Sequence, residues 1–180
     1  MEEKIVIVLL SEIEKKILEE LKSHLFEIFN LKIEFLPMKM DLGFAFNERR
    51  GQYLTSLILE KLREFKREKS EKWLAICDVD LFAEGLNFVF GEANLEEGIS
   101  IISLSRLRQS FYSLPNDEKV FLERIKKEAT HELGHLFYLG HCQNSNCVMY
   151  FSNSILDTDR KSKFFCEKCK KILQSYFQKK

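Results

Sequence analysis

The sequence carries no net charge, because its 28 lysines and arginines are matched by 28 aspartates and glutamates. No global field therefore steers it toward a phosphate backbone or an anionic membrane, and no nucleic acid is expected as a partner. A long apolar run is missing too. The run at the start, Ile5 to Leu10, falls far short of the roughly 20 residues a membrane span needs and follows an acidic lead, Met1-Glu2-Glu3-Lys4, where a secretory signal has a basic one. The expectation is a cytoplasmic chain without a membrane partner, in which a reducing compartment keeps the five cysteines as thiols, free for metal. No internal repeat and no low-complexity linker interrupts the 180 residues, so one domain is expected over 1–180, and 45 % hydrophobic residues supply its core.

Strand and helix patterns alternate along the chain. Lys4 to Leu10 reads as a buried strand, and Glu12 to Phe29 as an amphipathic helix through Ile13, Ile17, Leu21, Leu25 and Ile28. Leu31 to Leu36 alternates as a half-buried strand ended by Pro37, and Met38 to Gly51 shows no period. Gln52 to Arg67 reads as a second helix, and Lys72 to Cys77 as a third strand followed by the acidic turn Asp78-Val79-Asp80. Short strands are expected at Leu86 to Phe90 and Gly98 to Leu104. Asn116-Asp117 offers an N-cap for a helix that runs through Ile125 into a histidine motif, and Cys166 to Phe177 reads as a last helix. The alternation predicts an α/β fold with a mostly parallel sheet.

Three of the four histidines fall at 131, 135 and 141. Four residues apart on a helix, His131 and His135 project from one face and can offer two imidazoles to one ion. Glu132 points aside, where its carboxylate can take a proton from water held at a metal, the chemistry of an H-E-x-x-H helix. His141 cannot extend that helix: six residues at about 100° each leave it about 240° past a full turn. The helix must end before it and the chain reverse, with Gly140 as the expected hinge. Three nitrogens and a water then make the open tetrahedral site of a catalytic zinc. The bland alternative is a surface helix that carries the five-residue pattern by chance.

Cys142 and Cys147 lie five apart, and Cys166 and Cys169 form a C-x-x-C pair. Two close pairs separated by a loop suit a closed structural zinc that fixes the C-terminal segment to the domain, with metal binding contributing to folding. A redox pair at Cys166 and Cys169 would want a thioredoxin-like context, which is missing, and disulfides would want an oxidising compartment. Cys77, at a strand end, reads as an ordinary buried thiol.

From His131 to Cys169, under a quarter of the chain, the sequence resembles the archaemetzincins, a metzincin branch that joins H-E-x-x-H, a nearby third ligand and a four-cysteine zinc site. The residues that carry the likeness are His131, Glu132, His135, His141, Cys142, Cys147, Met149, Cys166 and Cys169. Arg50-Gly51-Gln52-Tyr53 and Asp78-Val79-Asp80 match more loosely. The resemblance implies a metzincin-like domain with a mixed, mostly parallel twisted sheet, an antiparallel edge strand and an active-site helix within 1–140. Residues 141–180 would then hold a zinc-stapled segment with Met149 in the turn beneath the catalytic metal. It further implies a zinc peptidase with two zinc ions, one catalytic and one structural, acting on peptide or protein substrates; a monomer is expected. An edge strand of Leu86, Asn87, Phe88, Val89 and Phe90 would hold the substrate backbone.

The chain departs from the metzincin pattern at Tyr138, which stands where that pattern has glycine. A tyrosine in a left-handed turn costs about 1 to 2 kcal/mol more than glycine. Either Tyr138 stays helical and Gly140 turns the chain, or the third ligand is displaced; the phenol would lean over the cleft or pack into the core. A metal-binding protein of the same fold that cleaves nothing is accordingly the rival reading. A cysteine-type finger for nucleic acid is a third, resting on the modest basic tail Lys168, Lys170, Lys171, Lys179 and Lys180.

Overall fold

The Ile-rich segments Lys4–Leu9 and Ile99–Ser103 are strands that run through the buried interior of the molecule. A computed structural model describes residues 3–179, so Met1 and Glu2 of the acidic lead and Lys180 of the basic tail lie outside the described residues. The main sheet has the order β2-β1-β5-β8-β7, built from β1 (Lys4–Leu9), β2 (Lys32–Pro37), β5 (Glu71–Cys77), β8 (Ile99–Ser103) and β7 (Gly91–Asn94). The first four are parallel and β7 runs antiparallel to β8 at the edge. A smaller sheet, β3 (Phe46–Asn47), β4 (Gln52–Leu54) and β6 (Leu81–Phe82), lies beside it.

Both faces of the main sheet are covered, which explains why its central strands read as continuous apolar runs. Ile5, Ile7, Leu74, Ile76 and Ile102 face one core with Leu21, Leu25 and Phe29 of α1 (Lys15–Phe29) and Ile125, Ala129 and Leu133 of α3 (Glu118–Leu136). The alternate residues Val6, Val8, Trp73, Ala75, Cys77, Ile99 and Ile101 face the other, with Ile58, Leu59 and Leu62 of α2 (Thr55–Arg63). Cys77 is fully buried and its thiol is pushed up to about 12 by that burial, which leaves it an inert core residue.

Asp117 caps α3 by accepting from the backbone N–H groups of Lys119 and Val120, as the Asn116-Asp117 pair predicts. Three ion pairs hold the C-terminal segment on the flank of that helix, among them Lys163 with Glu123 at 2.9 Å. Arg124 donates both guanidinium arms to Asp159 at 2.7 Å, and Lys161 lies 3.0 Å from Glu128 with both side chains almost wholly buried. Thr158 also donates to Glu128 from the short helix α4 (Ile155–Arg160), which the sequence pattern does not signal. The final helix α5 (Glu167–Gln178) follows.

Three expectations require correction. Gln52–Leu54 is strand, because it pairs with β3 and β6, and α2 begins only at Thr55 and ends at Arg63. Met38 to Gly51 is not wholly irregular: it contains a 3-10 turn at Gly43–Ala45 and β3. Leu86, Asn87, Phe88, Val89 and Phe90 are not a strand; only Val89 makes an isolated antiparallel bridge, to Leu81. The antiparallel edge strand is the next segment, β7, whose small residues Gly91 and Ala93 carry no β-forming signal of their own.

Candidate active site

The last turns of α3 carry His131, Glu132 and His135 to the end of the helix that faces β7. The helix stops in a left-handed turn: the Tyr138 N–H bonds to the His135 carbonyl at 3.0 Å, and the Leu139 N–H to the Gly134 carbonyl at 3.1 Å. That pair of bonds is a Schellman motif with Tyr138 at the left-handed position, φ 65°. Gly140 does not have a positive φ, so the expectation that it supplies the turn is wrong. Tyr138 adopts the conformation glycine would have taken, and it is 64 % exposed rather than packed in the core. Its ring leans on that of Tyr176, 5.7 Å between centroids, while the residue borders the cleft.

The reversal brings His141 back to the other two imidazoles. Ring centroids are 4.7 Å apart for His131 and His135, 5.4 Å for His131 and His141, and 4.9 Å for His135 and His141. One donor nitrogen from each can be chosen so that all three lie within 4.8 Å of one another. The His131 Nδ1–H donates to the Val148 carbonyl and the His135 Nδ1–H to the Leu139 carbonyl, both at 2.8 Å. Those bonds fix the tautomers and turn both Nε2 lone pairs inward, 3.1 Å apart. Tetrahedral zinc, with bonds of about 2.0–2.1 Å to nitrogen, needs a separation of about 3.4 Å, so the donor set fits. Burial lowers all three histidines, His131 most decisively, and the Lys161 ammonium adds to the effect, which favours the neutral imidazole that a metal requires.

Glu132 is buried beside them. Burial holds its carboxyl well above the usual range, reinforced by Glu128 and Glu92 and opposed by Lys161. Its room exists only because position 91 is glycine. A Cβ there would stand 2.6 Å from the Ile101 carbonyl oxygen, 2.7 Å from Glu132 Cγ and 2.8 Å from Glu132 Oε1. Gly134 serves the opposite face of the helix, where a Cβ would stand 2.5 Å from Met149 Sδ. Met149 thus packs on α3 at Gly134, in a turn closed by Tyr150 N–H to Cys147 carbonyl and tied back by Cys142 N–H to the Met149 carbonyl, each 2.9 Å. Gly91 and Gly134 are the site residues that sequence reasoning misses, since a close approach between distant segments leaves no local pattern.

The four cysteines Cys142, Cys147, Cys166 and Cys169 are all free thiols, with sulfurs within 4.8 Å of one another. Cys142 and Cys166 sulfurs are 3.8 Å apart, the edge of a tetrahedron with zinc–sulfur bonds of about 2.3 Å. The Cys166 N–H donates to Cys147 Sγ and the Asn144 N–H to Cys142 Sγ, bonds that suit thiolates. At the N-cap of α5 the backbone N–H of Cys169 lowers the Cys166 thiol to about 7, whereas burial pushes the Cys147 and Cys169 thiols up. The second donor set therefore also fits a metal.

The cleft around the histidines is lined by Ala83, Leu86, Val89, Gly91, Glu92 and Leu95 on one side and by Tyr138, Leu139, Gly140 and Phe151 on the other. Among the described residues no helix is long and apolar enough to cross a membrane.

Known proteins resemble this chain in sequence and in fold. Residues 2–175 match the family model described as peptidase family M54. The archaemetzincin of Methanocaldococcus jannaschii is 44 % identical over 164 residues, which cover 91 % of this chain and 88 % of that protein. The crystal structure of archaemetzincin from Methanopyrus kandleri superposes with a TM-score of 0.85 at 37 % identity, covering 98 % of this chain and 96 % of that one. A zinc-dependent peptidase from Methanocorpusculum labreanum gives a TM-score of 0.84 at 29 % identity, with 94 % and 99 % coverage. A family model spanning nearly the whole chain, and relatives alike in both sequence and fold, establish that this chain belongs to peptidase family M54, among the archaemetzincins.

Proposed function

We propose that the chain is a zinc metallopeptidase that hydrolyses peptide bonds of peptide or protein substrates, with His131, His135 and His141 holding the catalytic zinc and Glu132 as general base. The observation that carries this reading is the convergence of three imidazoles, with a donor nitrogen from each within 4.8 Å of the others, beside the buried Glu132 carboxyl. A zinc ion bound there supplies Lewis acidity, which acidifies water and polarises a carbonyl. Glu132 would take the proton from the attacking water and return it to the leaving amine. Met149 supports the histidine platform from beneath through Gly134.

The substrate backbone lies along β7. Ser103 N–H bonds to the Phe90 carbonyl at 2.8 Å, so pairing with β8 alternates through Glu92 and leaves the polar groups of Gly91 and Ala93 on the open edge. A peptide there would pair as an added strand. Cys142, Cys147, Cys166 and Cys169 hold a second, structural zinc that anchors α5 to the turn bearing His141 and Met149. We read the chain as a cytoplasmic monomer with neither nucleic acid nor membrane as partner; its zero net charge supports the absence of those two partners alone.

The rival inactive protein rests on a misplaced third ligand, and Tyr138 removes that ground by taking the left-handed conformation itself. The test is Glu132→Ala: cleavage of a peptide library should vanish while zinc content and fold persist. Wild-type rates of cleavage in that variant would end the assignment.

A further inference from the structure

The loop from Ala83 to Phe90 forms one wall of the cleft, and its backbone is already occupied. Arg50 donates from one terminal nitrogen to the carbonyls of Leu86 at 3.0 Å and Asn87 at 2.8 Å. Gln52 donates through its amide nitrogen to the Asn87 carbonyl at 3.0 Å and to Asp80 at 3.1 Å. Asp80 in turn receives both arms of Arg106, at 2.6 and 2.8 Å. The planes of the two arginines close the arrangement, with Arg106 4.3 Å from the Phe88 ring centroid and Arg50 4.2 Å from that of Phe82. Within the loop, the Leu86 N–H is spent on the Ala83 carbonyl and the Val89 N–H on the Leu81 carbonyl.

These bonds bear on how the cleft is used. A segment whose carbonyls at 86 and 87 are taken by side chains, and whose N–H groups at 86 and 89 are taken by neighbours, does not offer the continuous alternating row of backbone groups that strand pairing with a peptide uses. What it presents to the cleft is Leu86, 43 % exposed, and the half-buried Val89, across from Tyr138 and Phe151. We propose that Arg50, Gln52, Asp80 and Arg106 act together as a positioning clamp that fixes this loop as an apolar side-chain wall for the substrate. Arg50 and Gln52, four strands ahead of the histidines in sequence, thereby set substrate affinity rather than chemistry. The kinetic half of this inference rests on the peptidase reading; the structural half does not.

The test uses the zinc-loaded protein with Arg50→Ala, Arg50→Lys and Gln52→Ala. Arg50 is exposed, so its replacement spares the core. Losing a charge-assisted bond should speed hydrogen exchange at the Leu86 and Val89 amides by about tenfold or more, with exchange in α3 and zinc content unchanged. KM for an apolar peptide should rise by about tenfold with kcat within about twofold, and Arg50→Lys should recover part of both effects. Unchanged exchange at both amides overturns the clamp whether or not any peptide is cleaved, and so does a fall in kcat at constant KM. Absence of cleavage in the wild type would instead strike the peptidase reading, leaving the exchange result to decide the clamp.

Discussion

Replacing Gly91 by alanine adds one methyl group at the most confined point of the site. The new Cβ would meet the Ile101 carbonyl oxygen at 2.6 Å and Glu132 Cγ and Oε1 at 2.7 and 2.8 Å, all closer than real Cβ atoms approach. Ile101 is in β8, buried and paired on both sides, so its carbonyl cannot retreat without disrupting the ladder to β7 or β5. The freer partner is the Glu132 side chain, which would have to swing out of its pocket. Overpacking of this kind costs about 1–3 kcal/mol, and a chain of this size loses about 2–4 °C of Tm per kcal/mol. A displacement of about 1 Å in a catalytic group costs about a hundredfold in rate. Gly91→Ala should therefore lower kcat/KM by about two orders of magnitude and Tm by several degrees, while zinc content stays at the wild-type level because no histidine is touched. Peptide hydrolysis, thermal unfolding and metal analysis on one preparation measure all three. Wild-type activity in this variant would refute the packing of Glu132 against β7.

Three further outcomes follow from the same physics. Lys161→Met leaves Glu128 buried without its partner at 3.0 Å, which should cost about 3–5 kcal/mol, and adding Glu128→Gln should recover much of that loss in urea unfolding. His24 is lowered to about 4, first by burial and then by Lys126 and Lys163, with Glu123 opposing; its Nε2–H donates to Thr130 and its ring edge meets Phe164. Because the unfolded chain binds the proton more readily, stability from His24 is complete above about pH 6.5 and is lost as pH falls to about 4, by about 2 kcal/mol after partial screening; the difference between wild type and His24→Gln over that range should show it. Tyr138→Gly should relieve the left-handed strain and raise Tm by about 2 °C at unchanged zinc content, and a lower Tm would mean that its contact with Tyr176 outweighs the strain.

The elements with a strong period were legible in the sequence: β1, α1, β2, β5 and α3 lie within a few residues of where apolar spacing puts them. The histidine and cysteine groups, whose donor atoms the fold brings together, also stood out in the sequence, because ligand chemistry asks for particular residues at short spacing. What was not legible depends on contacts between segments far apart in the chain. Gln52–Leu54 follows helical spacing but pairs as strand because β3 and β6 flank it, and β7 is an edge strand despite Gly91 because Glu132 needs the space. The hinge after the histidine helix falls at Tyr138, against residue preference, because backbone bonds to His135 and Gly134 must close there for His141 to return. Arg50, Gln52 and Asp80 carried a loose likeness and no chemistry until the loop they grip was seen.

Zinc per chain in the wild type, in His131→Ala and in Cys166→Ser addresses the central claim most directly. Two ions in the wild type and one in each variant, with peptide cleavage lost only with the histidine-bound ion, is the predicted pattern. A single ion that survives His131→Ala and disappears with Cys166→Ser would contradict it.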